Sequence, residues 1–420
     1  MERERNSTVF CFQPVYMEKF QCLGGECTSN CCRSGWRIAI DETTYRKYCA
    51  VEPEAERKRI MSRINRDGEE KARLVLNDEG SCAFLRPDGF CSLQRTYGEE
   101  FLSDTCVTYP RRMFFVGEML ERGLSLTCPA AAKLVLLDDN PIVFETREEI
   151  IARPNMTLSC PEELEPVLRF LPSLQYGAVS ILQNRAFSIN QRLIVLGFFL
   201  DQVNDFVAKG ELGKLGELSD VYTADSFGKQ IPGMLSAVGF LPSGYVADMF
   251  ALIESLYGQN SDFFGVEHDG IKCVVETFGI EKENASVAQL LEVYRKKFCP
   301  ARKSILQQYS YIFENYLVNE FFIRHCPLYM NGSIAQNYCL FIVSYKLVEF
   351  IAICMAVSFS ERSMSIKAED IAALIERMMV YFDHNGSFLQ LVVNETVKRY
   401  GDVFACMRNL LDSDIARMEG

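Results

Sequence analysis

The sequence predicts a mainly α protein in two parts: a small irregular cysteine-rich domain over residues 1–150, followed by a larger helical domain over residues 151–420. Three observations lead there. Ten of the 17 cysteines fall within the first 128 residues, the elements around them are short and separated by turns, and from about residue 160 apolar residues recur at helical spacing. A chain of 420 residues is long enough to hold more than one core.

In chain order, WRIAID (36–41) alternates like a strand or the entry to a short helix, and the charged run Val51–Leu76 reads as one solvated helix. RPDGFC (86–91) carries a Pro-Asp-Gly turn. PAAAKLVLL, after Cys128, begins a helix, and DDNPIVF closes the region at Asn140-Pro141. NQRLIVLGFFLDQVNDFVAKG, from Asn190, has helical periodicity and a C-terminal stop at Gly210. Further helices are expected at about 285–298, 302–325, 336–357, 367–383 and 387–412. No fixed-period repeat or low-complexity linker interrupts them.

The net charge of −12 argues against a phosphate-backbone footprint, so nucleic acid is not an expected partner. Residues 1–140 hold 20 Lys+Arg against 22 Asp+Glu and the remainder 24 against 34, which puts the acidic excess in the C-terminal part. MERERNSTVF has no apolar run before a cleavage site and does not read as a signal peptide, so a cytoplasmic location is expected. FIVSYKLVEFIAICMAV, from Phe341, is interrupted by Lys346 and Glu349 and reads as a core helix too short to span a bilayer; no membrane insertion is expected.

In a reducing compartment, dense cysteines point to metal binding or thiol chemistry. Cys22, Cys27, Cys31, Cys32, Cys82, Cys91, Cys106 and Cys128 are the candidate metal ligands. Thiolates repel one another and are costly to desolvate unless a soft metal centre shares them. Structural zinc normally shows two-residue-spaced pairs, and no C-x2-C occurs here. Iron-sulfur ligation tolerates irregular spacing, and Cys128-Pro129 repeats a step of the bacterial ferredoxin run. A 4Fe-4S cluster needs four ligands, or three with one iron open, so eight thiols allow two centres or one centre with structural thiols. Cys31 and Cys32 are adjacent, and neighbouring side chains diverge in helices and strands, so one of the two is expected to bind and the other to support. Cys11, Cys49 and the seven cysteines beyond residue 128 are read as structural thiols. His268, His325 and His384 lie outside the dense region and are not expected to be ligands.

The runs FQCLGGECTSNCCRSGWRIAIDETTYRKY (from Phe20), CAFLRPDGFC, LSDTCVTYPRR and LSLTCPAAAKLVLL resemble the flagellin lysine-N-methylase family, itself related to small zinc- or iron-chelating domains. The resemblance covers residues 16–137 and continues in ENYLVNEFFIRHCPLY from Glu314; residues 160–300 are its least characteristic part. It implies a cytoplasmic protein-lysine N-methyltransferase acting on flagellin, using S-adenosylmethionine and a 4Fe-4S cluster in the cysteine-rich region. Two familiar motifs are missing. The C-x3-C-x2-C of radical S-adenosylmethionine enzymes fails at Ser34, and Gly24-Gly25 follows no strand, so no Rossmann-type cofactor loop is present. Motif alone therefore does not place the cofactor site.

Methylating an amine requires the lysine, ordinarily of pKa near 10.4, to lose its proton. Candidates for a pocket doing this are Tyr311, Asn315 and Asn319, at four-residue steps on one helix face, with Glu314 and Tyr316 beside them. The plainer expectation is that these groups satisfy one another or cap neighbouring backbone in the core. Asp104, Tyr109, Arg111 and Arg112 flank Cys106 and are expected to support the centre through hydrogen bonds. The competing function class is a non-catalytic zinc- or iron-chelating interaction protein. Oligomeric state is left open.

Overall fold

The computed structural model describes residues 7–27, 31–33, 35–36, 38–66, 72–151, 153, 165–259, 269–279, 286–326, 328 and 332–411. Ser34, Cys160 and His268 lie outside them. The chain divides into two compact units, one of Met1–Leu134 with Val143–Cys160 and one of Val135–Ile142 with Pro161–Gly420. Helices dominate, as expected, and the cysteine-rich part is built from short pieces.

In the first unit, Val9, Cys11 and Gln13 are buried while Phe10 between them is exposed, the period of two that makes Ser7–Pro14 a strand (β1). Two further strands, β2 (Ile64–Asn65) and β3 (Arg73–Leu74), pair antiparallel. The chain then adds β4 (Arg111–Val116), β5 (Met119–Leu124) and β6 (Phe144–Ile151). The larger sheet has the order β4-β5-β1-β6, with β1 parallel to β5 and antiparallel to β6. Gly117, at φ 57°, makes the tight β4–β5 turn. This sheet was not foreseen, because its strands carry charged residues such as Glu148 and Arg122 among the apolar ones.

The run Val51–Leu76 is not one helix. It forms the helix Glu54–Met61 and then the β2–β3 pair. Among its described residues WRIAID contributes a single bridge, Ala39 to Arg73, rather than a full strand or helix. Asp41 then caps the helix Glu42–Cys49, its carboxylate accepting from Thr44 N at 2.9 Å and from Asp104 N at 3.0 Å. One side chain thus ties two helix starts together.

The second unit is organised around the helix Ile334–Glu361, which packs against helices Ile189–Ala208, Asp269–Phe278, Cys299–Ile323, Ala368–His384, Gly386–Arg399 and Val403–Leu410. Four of the expected helices appear at close to their read positions. The one expected at 285–298 is an α-helix Val287–Val293 continued by a π-helical turn Tyr294–Phe298, and the one at 387–412 breaks at Gly401, where Asp402 caps a new helix through Ala405 N at 2.7 Å. Helices Leu171–Leu182, Leu215–Thr223, Ile231–Ala237, Pro242–Gln259 and Asp269–Phe278 fill the stretch left unread.

The central helix has 28 residues, longer than the apolar run suggested, and by length and composition alone it is able to cross a membrane. Its most apolar window is 83% buried inside the unit. At its middle, Lys346 Nζ lies 2.6 Å from Glu349 Oε2 and 2.8 Å from Asn190 Oδ1, while Glu349 Oε1 accepts from Tyr345 at 3.0 Å and Arg302 at 3.3 Å. Burial would raise the Glu349 carboxyl, but Arg302 and Lys346 prevail and hold it at about 2.

Glu349→Gln should therefore destabilise the chain by about 3–5 kcal/mol in denaturant unfolding near neutral pH, because two buried cations lose their anion. With its folded pKa below the ordinary value of 4.5, Glu349 contributes stability above that pH, and the gap between wild type and variant should shrink as pH falls from 4.5 toward 2. An unchanged midpoint in the variant would contradict the role assigned to this network.

Candidate metal centre

Eight thiols of the first unit form two neighbourhoods. Cys31, Cys32, Cys82, Cys91 and Cys106 lie within electrostatic reach of one another. Cys32, Cys91 and Cys106 pack around a core that contains Cys82, Phe84, Tyr48 and Ile38. Cys22, Cys27 and Cys128 form the second neighbourhood.

Local structure explains the gathering. Cys82 N donates to Cys32 O at 2.7 Å, bringing the two cysteine segments side by side. Bridges from Leu76 to Cys82 and from Leu85 to Cys91 fold the second segment into tight loops. A Cβ on Gly25 would come within 2.6 Å of Asp88 O and of the Phe90 ring, and one on Gly89 within 2.9 Å of Gly25 Cα. The loop between Cys22 and Cys27 thus seats its backbone directly on the turn that ends at Cys91, which only glycine permits.

Cys31 and Cys32 occupy a 3-10 turn, and their thiols hydrogen-bond to each other. The two side chains therefore meet, where divergence was expected of neighbours in a helix or strand. The Cys32 hydrogen bond lowers Cys31 to about 7, and the same bond, with burial, pushes Cys32 far up. Burial raises Cys82 and Cys91, pushes Cys106 up to about 12 and pushes Cys128 up to about 11.

Against that burial stand backbone amides aimed at sulfur. Cys82 accepts from Phe84 N, Cys91 from Leu93 and Gln94 N, and Cys128 from Ala130 and Ala131 N at the start of the helix Pro129–Leu136. Ser103, which the sequence reading passed over, bonds both the Cys106 thiol and its backbone N, the latter at 3.4 Å. Amides pointing at sulfur favour the thiolate, the form that binds soft metals. The donor set therefore suits a thiolate-ligated centre. Among the described residues, however, no three His, Cys, Asp or Glu side chains close into a coordination shell.

The flanking residues have partners other than the thiols. Asp104 pairs with Arg153 at 2.7 Å, Tyr109 OH lies 3.0 Å from Thr127 Oγ1 and its ring meets Trp36 edge-on, and Arg111 stacks over Phe20. Arg112 lies in β4 opposite Gly123. Cys11 is a buried thiol under the large sheet, raised to about 11 by burial. Cys49, read as a structural thiol, is exposed at a helix end. Cys273, Cys326, Cys339, Cys354 and Cys406 are buried and Cys299 is partly so.

The other five candidates all lie on the helix Cys299–Ile323, but do not converge on a single site. Glu314 is gripped by Arg185, at 2.9–3.1 Å, and by Arg192 at 2.7 Å. Asn315 Nδ2 donates to Asp138 O at 2.7 Å, and its Oδ1 is buried with no hydrogen-bond partner among the described residues. With Arg185 donating to Asp139 O, these contacts fasten the segment Val135–Ile142 to its own unit. Asn319 donates to Glu320 at 3.2 Å, and Tyr311 is half-buried. Glu314 and Asn319 thus bond side chains outside the group of five candidates, and Asn315 bonds a backbone carbonyl. Tyr316 differs, because it lines a cavity with Glu320, Arg324, Phe341, Met379 and Phe382. His325 has a left-handed backbone, φ 52°, after the helix end, and His384 is exposed.

Sequence reasoning also missed Glu376. It is buried on the helix Ala368–His384, no hydrogen bond reaches it among the described residues, and burial raises its carboxyl to about 7. Only its burial marks it, and burial of a lone Glu in a helix leaves no local pattern.

The architecture defines a class, a helical protein with an N-terminal thiol-rich unit suited to a soft metal. The FliB lysine N-methylase C-terminal domain model matches residues 177–407, more than half of the chain. The chain belongs to the FliB lysine N-methylase family. It is 24% identical over 390 residues to the lysine-N-methylases of Salmonella typhimurium and Salmonella choleraesuis, covering 89% of this chain and 92% of each relative. It is 33% identical over 139 residues to the flagellar biosynthetic protein FliU of Salmonella muenchen, covering 31% of this chain and 80% of that protein. No solved structure matches. The family expected from the cysteine-rich segments is the one matched, and the match includes much of the stretch judged least characteristic.

Because the folded pKa of Glu376 lies above its ordinary 4.5, its burial costs nothing below that pH and destabilises the fold as pH rises toward 7. Between pH 4.5 and 8, Glu376→Gln should gain roughly 3 kcal/mol on wild type in urea unfolding. A pH-independent difference would contradict the assignment.

Proposed function

We propose that this chain is a cytoplasmic protein-lysine N-methyltransferase that uses S-adenosylmethionine, acts on flagellin and carries a 4Fe-4S cluster. The observation that carries the reading is the match along nearly the whole chain to proteins named lysine-N-methylase, with family membership in support. The name FliU, a flagellar biosynthetic protein, favours a flagellar substrate.

The thiol chemistry of the first unit supports the cluster. Cys82, Cys91, Cys106 and one of Cys31 and Cys32 would hold it, the other of that pair lending a hydrogen bond. Cys22, Cys27 and Cys128 offer a separate set of three donors. When bound, such a cluster supplies electron transfer or Lewis-acid chemistry at a bound small molecule, or cohesion for a fold of short elements. The chain's own part begins with sulfur. Backbone amides at Cys82, Cys91 and Cys128 favour the charged thiolates, and burial keeps water from Cys82 and Cys128. The acceptor amine must reach its neutral form before it takes a methyl group, which a desolvating pocket or a carboxylate of raised pKa promotes.

Protein purified without oxygen should contain about four iron and four sulfide per chain. Cys82→Ser, Cys91→Ser and Cys106→Ser should each lose most of that iron, while Cys49→Ser should keep it. With S-adenosylmethionine present, flagellin lysines should gain mass in CH2 steps. A colourless preparation with stoichiometric zinc and no methyl transfer would favour the chelating protein instead.

A further inference from the structure

The cavity lined by Tyr316 has a chemistry that the thiols of the first unit do not explain. Leu340, Phe341, Met379, Phe382 and Leu389 form its apolar walls. Most polar groups around them are already bonded. Arg324 bonds Glu320 at 2.6 Å and Asp383 at 2.7 Å, Asn337 donates to Gly332 O at 3.4 Å, and Ser344 Oγ donates to Leu340 O at 2.8 Å. The Tyr316 hydroxyl is left over: the residue is 2% exposed, and among the described residues no hydrogen bond reaches that oxygen. Burial raises its pKa, so at neutral pH the phenol keeps its proton and is a hydrogen-bond donor. Cys326, on the same cavity and also buried, is likewise kept as the neutral thiol.

We infer that this cavity binds a small neutral molecule of a few heavy atoms, with an apolar body against Phe341, Met379 and Phe382 and one acceptor that takes the Tyr316 hydroxyl. Three observations select that class. The first is size: the cavity, about 40 Å³, is larger than the roughly 15 Å³ that one water needs and smaller than the roughly 150 Å³ that takes benzene. That space suits a few heavy atoms and excludes a whole nucleoside-bearing cofactor such as S-adenosylmethionine. The second is the phenol itself, since a buried O–H without an acceptor is costly and a ligand acceptor relieves that cost. The third is the walls, which receive an apolar body well and do not repay the desolvation of an ion. The inference is independent of the proposed methyl transfer.

The test uses the full chain with methyl-labelled methionine, the Met379 signal being assigned through Met379→Leu. The probes have equal numbers of heavy atoms and differ in charge: neutral acetonitrile, the ethylammonium cation and the formate anion. Acetonitrile should shift the Met379 methyl resonance saturably, and neither ion should. Tyr316→Phe keeps the ring and removes the donor, so its affinity for acetonitrile should fall roughly fivefold. Ser344→Phe and Leu389→Trp enlarge half-buried residues at the cavity wall, so at least one should fold as judged by circular dichroism, and in it the acetonitrile shift should vanish. No saturable shift in the wild type would mean a cavity that holds water alone and would overturn the inference. So would an undiminished affinity in Tyr316→Phe, a shift that survives in a folded plugged variant, or a saturable shift with either ion in place of acetonitrile.

Discussion

Sulfur atoms brought together out of water repel one another as thiolates and gain little as thiols. The first unit nevertheless gathers five of them around one small core and three more in a second group. Its elements are too short to bury much apolar surface individually, the longest described helices there having eight residues. The large sheet has a separate apolar core of its own. A shared positive centre would resolve both problems, satisfying the sulfurs and holding the loops. The glycine contact between residues 25 and 89 and the amides directed at sulfur are arrangements such a centre would require.

The second unit solves the opposite problem. Its core is large and apolar, with a cluster of aromatic rings around Tyr245, Phe298 and Phe350, and its polar groups are the costly features. Most are compensated locally. Lys346 and Arg302 share the Glu349 carboxylate at the middle of the central helix, and Glu314 pairs with both Arg185 and Arg192. Glu376 differs: it is buried, no hydrogen bond reaches it among the described residues, and burial raises its carboxyl.

The helical part was legible because periodicity over twenty residues survives in sequence, as at Asn190–Gly210, where capping by Ser188 and the stop at Gly210 confirm each other. The sheet was not, because β6 carries Glu145, Arg147, Glu148 and Glu149 and reads as solvated. Its partner β1 supplies the apolar face, a pairing across more than 130 residues that no local window contains. Cysteine spacing pointed to the eight thiols, and it also allowed two centres. Their division into five and three depends on loops closing through Cys32 O and Gly25, contacts written in no motif. Glu314 looked chemical because it was a carboxylate on an apolar helix; its two arginines lie more than 120 residues away in sequence.

The central claim is that the gathered thiols bind inorganic iron. X-ray absorption at the iron edge, on the intact chain purified without oxygen, tests it most directly. The account predicts a first shell of sulfur with a short iron–iron vector, both lost together in Cys91→Ser. A first shell of nitrogen and oxygen, or a sulfur shell seen only at the zinc edge, would contradict it.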